Sequence, residues 1–274
     1  MAYARQIEKE MAGEQKSKSA GRSWLRLWLL PLTMGAVLAL WWAVIEVSSL
    51  PAFILPPPDL VWHRFVEVAQ NGTLLRHTAA TGVEVLLGLV FGLVLATILG
   101  YVLAKSPALE RLLSPYIVAS QSIPTIAIAP LLIIWFGPGR ISKVLVATLI
   151  VFFPVLVNTV VGVRSVPADL YELMRSLRAT RWQIFTKLEI PSAMPVLFGG
   201  LKIGATLSVI GAVVGEFVGA DEGLGFLINL ARGMYDTPLV FVAIFTLILL
   251  AMALYGVVNL LERWFLRWRR QKDV

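Results

Sequence analysis

Long apolar runs separated by short polar segments dominate the pattern of this chain. Helical runs of roughly 20 apolar residues cross a bilayer. We therefore predict six transmembrane helices, at about residues 27–46, 78–104, 112–137, 144–164, 196–218 and 237–261. A cleaved signal peptide competes for the first run, but that run is longer than an ordinary signal core and we favour a permanent span. The fold class is an all-α polytopic membrane protein.

Two of these spans carry rows of small residues, mostly four positions apart and interrupted in the second span by Glu84, which leave a flat helix face. Such faces let helix backbones approach closely in a membrane. The sequence thus predicts close packing of the second and fifth spans, through Ala80, Gly88, Gly92, Ala96, Gly100 and Ala104 and through Gly200, Gly204, Gly211, Gly215 and Gly219.

The third span is irregular because Pro115, Pro124 and Pro130 interrupt it. A proline inside a span frees backbone carbonyls that need water or polar neighbours, so we expect this span to line a wet interior. A kinked but dry helix is the alternative. Short surface helices are predicted at Leu60 to Val68 and between Gly225 and Arg232, and a tight turn at Gly137 to Arg140.

The segment 165–195 is a charged island between apolar runs. Leu170, Leu173, Met174 and Leu177 form one stripe of a short amphipathic helix. Thr180 and Gln183 form a capping box that opens a second helix, which should end near Ile190 because Pro191 cannot continue it. The island is too polar to cross a bilayer.

Composition and charge agree with a membrane location. The 274 residues are 58% hydrophobic and 15% charged, with no cysteine and a net charge of +7. The segments between the spans lie alternately on the two sides of the membrane. The side that contains both termini and the island has 18 Lys and Arg residues, and the other side has 5. The positive-inside rule therefore predicts cytoplasmic tails at 1–26 and 263–274 and a cytoplasmic island. It also explains the basic charge without nucleic acid.

No sequence motif indicates an enzyme, because phosphate-binding loops, paired catalytic carboxylates and nucleophile elbows are missing. An uphill transporter without a nucleotide site takes its energy from an ion gradient or from a partner ATPase. Gradient-driven carriers usually hold ionisable groups at the midplane, and this chain has almost none. A partner ATPase acting on the island is the interpretation we favour over a gradient-driven carrier or channel.

The island resembles the cytoplasmic "EAA" loop of binding-protein-dependent ABC importer permeases, of the nitrate, sulfonate and taurine type. Glu172 stands at the start of that motif and Leu188 to Pro191 at its end, with the family's spacing. Leu173 and Met174 replace the two alanines, and Arg178 replaces the glycine that supplies a left-handed turn. The resemblance covers about Leu55 to Leu261 and includes Pro124, Pro130, Leu131, Trp135, Phe136, Gly137 and Lys143.

The resemblance implies a type I importer fold in a prokaryotic inner membrane, with two copies of this chain as a homodimer. It also implies two cytoplasmic ATPase subunits, which bind ATP and Mg²⁺, and an extracytoplasmic solute-binding protein; this chain itself would bind no cofactor. The expected ATPase-coupling residues are Glu172, Leu173, Arg175, Arg178 and Trp182.

The solute path should pass between two copies of spans three to five. Its candidate lining residues are Gln121, Asn158, Thr206, Ser208 and Glu216, each of which could equally form a helix–helix hydrogen bond. Glu216 has a second alternative, as an interfacial carboxylate. Residues 200–240 look more like family members associated with riboflavin or with pyrimidine precursors of thiamine than like alkanesulfonate permeases. Sulfonate, taurine or nitrate remains the alternative cargo.

Overall fold

A computed structural model describes residues 31–33, 35–48 and 51–267 of the chain. The predicted tail 1–26 and the end of the basic tail, 268–274, lie outside the described residues. The chain divides after His63 into two compact units. The first contains the apolar helix α1, Pro31–Ser48. Helix α2, Pro58–Gln70, begins in the first unit and continues into the second.

The second unit contains the helices that form the bundle. They are α3 (Thr73–Lys105), α4 (Pro107–Gln121), α5 (Thr125–Phe136), α6 (Arg140–Arg164), α7 (Ala168–Ser176), α8 (Arg181–Ile184), α9 (Ile190–Gly219), α10 (Leu224–Gly233) and α11 (Thr237–Phe265). Among the described residues, five helices are long and apolar enough to cross a membrane, and a bent pair makes a sixth. The predicted all-α membrane fold is confirmed.

Helix α6 is the centre of the bundle and packs between α3 and α9. The small-residue rows of both neighbours face it, as predicted. A Cβ added at Gly100 of α3 would lie 2.7 Å from Thr159 Cβ, and one added at Gly211 of α9 would lie 2.6 Å from the Cα of Ala147. Glycine is therefore required for this close backbone approach, which is a main source of helix association in lipid.

The third predicted span is a pair of helices, α4 and α5, bent by 92°. Pro115 and Pro130 lie inside the two helices, whereas Pro124 stands at the break and caps α5. Pro124 has no N–H to continue the helix, and its ring disfavours helical geometry in the residue before it. This explains why the bend occurs at that proline.

The prediction that the second island helix ends near Ile190 is wrong. Helices α8 and α9 form one continuous helical segment, Arg181–Gly219, joined by a π-helical turn at Phe185–Glu189. The N–H of Ile190 bonds to the carbonyl of Phe185, five residues back. This wider turn precedes Pro191, so the chain passes the proline without breaking the helix.

The smaller predicted elements are present. Helices α2 and α10 cover the predicted surface helices, and Gly137, with φ +82°, lies in the turn before α6. The ion pair of Arg164 with Glu110 joins α6 to α4 near α7. His77 of α3 lies near α10, at the other end of the bundle. We refer to the two ends of the bundle as the α7 end and the α10 end.

Candidate functional site

Helix α7 is an amphipathic helix with an uncovered apolar stripe. Leu170, Leu173 and Leu177 are 38%, 53% and 68% exposed. None of the nine residues of α7 is buried, and none of the other helices that the structure describes packs extensively against it. The predicted coupling residues Glu172 and Arg175 are exposed on the same helix. An exposed apolar stripe with charged flanks is suited to binding a partner.

The turn after α7 is a Schellman motif formed without glycine. Arg178 has φ +55°, its N–H bonds to Arg175 O at 2.9 Å, and the N–H of Ala179 bonds to Met174 O at 2.9 Å. These two bonds define the motif, which normally uses glycine at the left-handed position. Arg178 therefore keeps the geometry of the replaced glycine, at a conformational cost of about 1–2 kcal/mol.

The predicted capping box starts the next helix. The Thr180 hydroxyl accepts from the N–H of Gln183, and the Gln183 side chain accepts from the N–H of Thr180 at 2.8 Å. Trp182 follows; it is 70% exposed, with its ring 5.5 Å from that of Phe185. The five predicted coupling residues thus lie on one exposed helix–turn–helix, and their contact with an ATPase stays a prediction.

A polar cluster connects α7 to the bundle through Lys105, the last residue of α3. Its Nζ donates to the hydroxyl of Tyr171 in α7 at 3.3 Å and forms an ion pair with Glu189. The second oxygen of Glu189 accepts from the Tyr101 hydroxyl at 2.9 Å. The Tyr171 oxygen accepts the bond from Lys105, and burial raises the pKa of its phenol. We call Tyr101, Lys105, Tyr171 and Glu189 the anchor cluster.

Two of the predicted path residues lie on α4 and α6. Gln121 is exposed and lines a cavity of about 530 Å³ between these helices at the α7 end. The Asn158 amide donates to Pro154 O at 2.8 Å, and its side chain packs over Gly200. The cavity also contains the Glu110–Arg164 pair.

The other three predicted path residues lie on α9. Thr206 is exposed and donates to Lys202 O, whereas Ser208 is fully buried and donates to Ala205 O. Glu216 is 1% exposed. One subunit therefore does not bring the five residues into a single cavity, and their contact with solute stays a prediction.

Glu216 belongs to a buried acid cluster at the α10 end, which we define as Thr81, Glu84, Lys143 and Glu216. Lys143 Nζ lies 3.3 Å from Glu84 Oε1, with both side chains at most 5% exposed. Thr81 donates to Glu216 Oε1 at 2.6 Å. The cluster joins α3, α6 and α9, and pairing with Lys143 makes a carboxylate at this depth tolerable.

Gly223, which precedes α10, and Gly225, in its first turn, lie against the Glu216 carboxylate. The N–H of Gly225 donates to Oε2 at 2.5 Å, and a Cβ at Gly225 would lie 2.7 Å from the same oxygen. Gly223 has φ +120°, and its N–H donates to His77 Nδ1 at 3.0 Å. Glu216 thereby fixes the start of α10 against the bundle.

Sequence reasoning did not identify the pairing of Glu84 with Lys143 or the role of Lys105 and Glu189. A signal for the first pair was present, because an ionisable residue within a span normally finds a partner. Glu84 interrupts the small-residue row of α3 at the position where Lys143 of α6 meets it. The anchor cluster had no comparable signal, because it depends on the π-helical turn that places Glu189 towards α3.

Known proteins with similar sequences are transport permeases. The chain is 51% identical over 239 residues to the riboflavin transport system permease protein RibX of Chloroflexus aurantiacus, covering 87% of this chain and 89% of that protein. It is 37% identical over 220 residues to the formylaminopyrimidine transport permease protein ThiX of Halalkalibacterium halodurans, covering 80% and 88%.

The fold is similar to that of a solved importer. The MetNI methionine ABC transporter, in an inward-facing conformation, matches with a TM-score of 0.64 at 21% identity, covering 72% of this chain and 98% of that chain. Residues 88–267 match the family described as binding-protein-dependent transport system inner membrane component. The chain therefore belongs to this family and is a multi-pass inner-membrane permease of the ABC importer class.

Proposed function

We propose that this permease is driven by an ATPase that binds α7, and that it imports riboflavin or a related heteroaromatic vitamin precursor. The observation that carries the proposal is the uncovered apolar stripe of α7, formed by Leu170, Leu173 and Leu177. These leucines leave apolar surface in water unless a partner covers it. The ATPase supplies the nucleotide site, with ATP and Mg²⁺ bound there and not on this chain.

The orientation follows from charge. With 18 Lys and Arg on the side of α7 and the termini against 5 on the other, α7 and both termini face the cytoplasm. The α10 end then faces the extracytoplasmic binding protein. Two copies of the chain form a homodimer, and the solute passes between them near Gln121 and the cavity it lines.

The choice of substrate rests on relatives. The 51% identity to a permease named for riboflavin exceeds the 30% identity to the taurine permease TauC of Escherichia coli. Both riboflavin and the thiamine-type pyrimidines are flat heteroaromatic molecules, unlike a sulfonate. A flavin is therefore the first substrate to test.

Transport by reconstituted proteoliposomes tests the proposal. The permease is co-purified with its ATPase, and uptake of radiolabelled riboflavin is measured with the binding protein outside and ATP inside. We expect uptake that requires ATP and is inhibited by unlabelled riboflavin but not by taurine. Uptake by the permease without an ATPase would contradict the proposal, and inhibition by taurine alone would overturn the substrate.

The role of α7 is tested in the same system. Leu173→Glu places a charge on the exposed stripe and should abolish ATP-driven uptake while leaving the permease in the membrane. Leu75→Glu is the matched control, because Leu75 is 74% exposed at the opposite end of α3 from the anchor cluster. Equal loss in both variants would contradict a specific role for α7.

A further inference from the structure

Tyr171 of helix α7 makes polar contacts with the membrane helices. Lys105 of α3 donates a side-chain hydrogen bond to its hydroxyl at 3.3 Å, and Glu189 also lies close to it. The Lys105 ammonium also lies 5.1 Å from the centre of the Tyr171 ring, within the range of a cation–π contact. Lys105 is therefore a direct side-chain contact between α7 and α3.

Lys105 makes a second connection, to the base of α9. Its ion-pair partner Glu189 has a side chain only 5% exposed and is also bound by Tyr101. Removing the ammonium would leave this largely buried carboxylate without its counter-ion. The ion pair therefore holds the base of α9 to the end of α3.

Glu189 lies immediately before α9, in the part of the helical segment Arg181–Gly219 that is best suited to bend. It is the last residue of the π-helical turn Phe185–Glu189, immediately before Ile190 and Pro191. π-helical turns and prolines are the usual places where helices bend. An apolar cavity of about 530 Å³ lies beside this turn and is lined by Tyr101, Phe185 and Glu189, so the turn has space to move relative to α3.

We propose that Lys105 is a positioning residue for transport, which couples movement of α7 to α3 and α9 by binding Tyr171 and Glu189 together. The inference rests on the proposed role of α7 as the ATPase-binding helix. When the ATPase moves α7, Tyr171 carries Lys105 with it. Lys105 then carries Glu189 and the π-helical turn, so that α3 and α9 respond as one unit.

The first experiment replaces Lys105 with methionine, which keeps the length of the side chain and removes its charge. In proteoliposomes containing the whole complex, Lys105→Met should lower riboflavin uptake per ATP hydrolysed by about tenfold, a typical coupling factor. The amount of ATPase co-purified should not change. Lys187→Met is the control, because Lys187 is exposed on the same turn and forms no hydrogen bond or ion pair among the described residues.

Two further variants separate positioning from general stability. Tyr171→Phe removes only the hydroxyl and should lower uptake per ATP by about threefold, as expected for one weak hydrogen bond. Exchanging the charges, with Lys105→Glu and Glu189→Lys together, should restore uptake that Lys105→Glu alone abolishes. The tyrosine hydroxyls can both donate and accept, so the exchanged pair keeps its hydrogen bonds.

The results distinguish this inference from the proposed function. If wild-type complex imports riboflavin but Lys105→Met matches Lys187→Met, the inference is wrong and the role of α7 stands. If Lys105→Met instead reduces uptake only in proportion to lost ATPase, or the charge exchange gives no rescue, Lys105 is structural and the inference is also wrong. Wild-type uptake that does not depend on an ATPase would refute the proposed function itself.

Discussion

Removing the charge of Lys143 tests whether the buried acid cluster stabilises the bundle. Lys143→Met keeps most of the side-chain volume and deletes the ammonium. Its partner, the Glu84 carboxylate, is 1% exposed, and Glu84 Oε2 accepts no hydrogen bond among the described residues. The substitution therefore leaves a buried carboxylate without its counter-ion.

The expected cost follows from that geometry. Breaking a buried ion pair from one side typically costs about 3–5 kcal/mol, because the remaining charge is uncompensated. An exposed pair is worth about 0–1 kcal/mol. Lys202 and Glu262 form a comparison pair that is partly buried, with side chains 21% and 24% exposed and Lys202 Nζ 2.5 Å from Glu262 Oε2. Lys202→Met should thus cost less than Lys143→Met.

The free energy of unfolding can be measured in detergent micelles by adding sodium dodecyl sulfate and following tryptophan fluorescence. Lys143→Met should lower it by about 3–5 kcal/mol. The double variant Lys143→Met with Glu84→Gln should recover most of that loss, because it removes the uncompensated charge. If Lys143→Met costs no more than Lys202→Met, or the double variant is as unstable as the single one, the cluster does not stabilise the bundle as described.

Two further substitutions test the backbone geometry. Gly211→Leu should destabilise the bundle by about 1–3 kcal/mol or more in the same titration, because its Cβ would meet the backbone of α6. Gly199→Leu, with no atom within 4 Å of the added Cβ, should cost little, and equal costs would contradict the packing. Arg178→Gly should retain more ATP-driven uptake than Arg178→Val, because a β-branched residue is poorly tolerated at φ +55°. The two variants are compared by ATP-driven uptake in proteoliposomes. Higher uptake by Arg178→Val than by Arg178→Gly would contradict the left-handed turn.

The spans and their packing faces could be predicted because their signals are local. Apolar length indicates a membrane helix, and a row of small residues indicates a close neighbour, so Gly100 and Gly211 were assigned to packing faces correctly. The capping box at Thr180 could also be recognised from the sequence, since both of its residues lie within one helical turn. The structure adds which helix meets each row, namely α6 in both cases.

The remaining features depend on tertiary context. Pro191 predicts the end of a helix by its own chemistry, but the π-helical turn before it removes the conflict and the helix continues. Pro124 produces a sharp break, although Pro115 and Pro130 do not. Pairing of Glu84 with Lys143 needed the alignment of α3 with α6, which one sequence does not provide.

Crosslinking from α7 tests the central claim most directly, because the chain contains no native cysteine. Leu173 on α7 is 53% exposed and Met234 at the α10 end is 66% exposed. A cysteine introduced at either position should therefore react readily. In assembled complex labelled with a maleimide–benzophenone reagent, the maleimide alkylates the introduced thiol and the photoactivated benzophenone inserts into a neighbouring C–H bond; we predict that Leu173→Cys is joined to the ATPase and Met234→Cys is not. A crosslink to the ATPase from Met234→Cys, with none from Leu173→Cys, would contradict the assignment of α7 as the coupling helix.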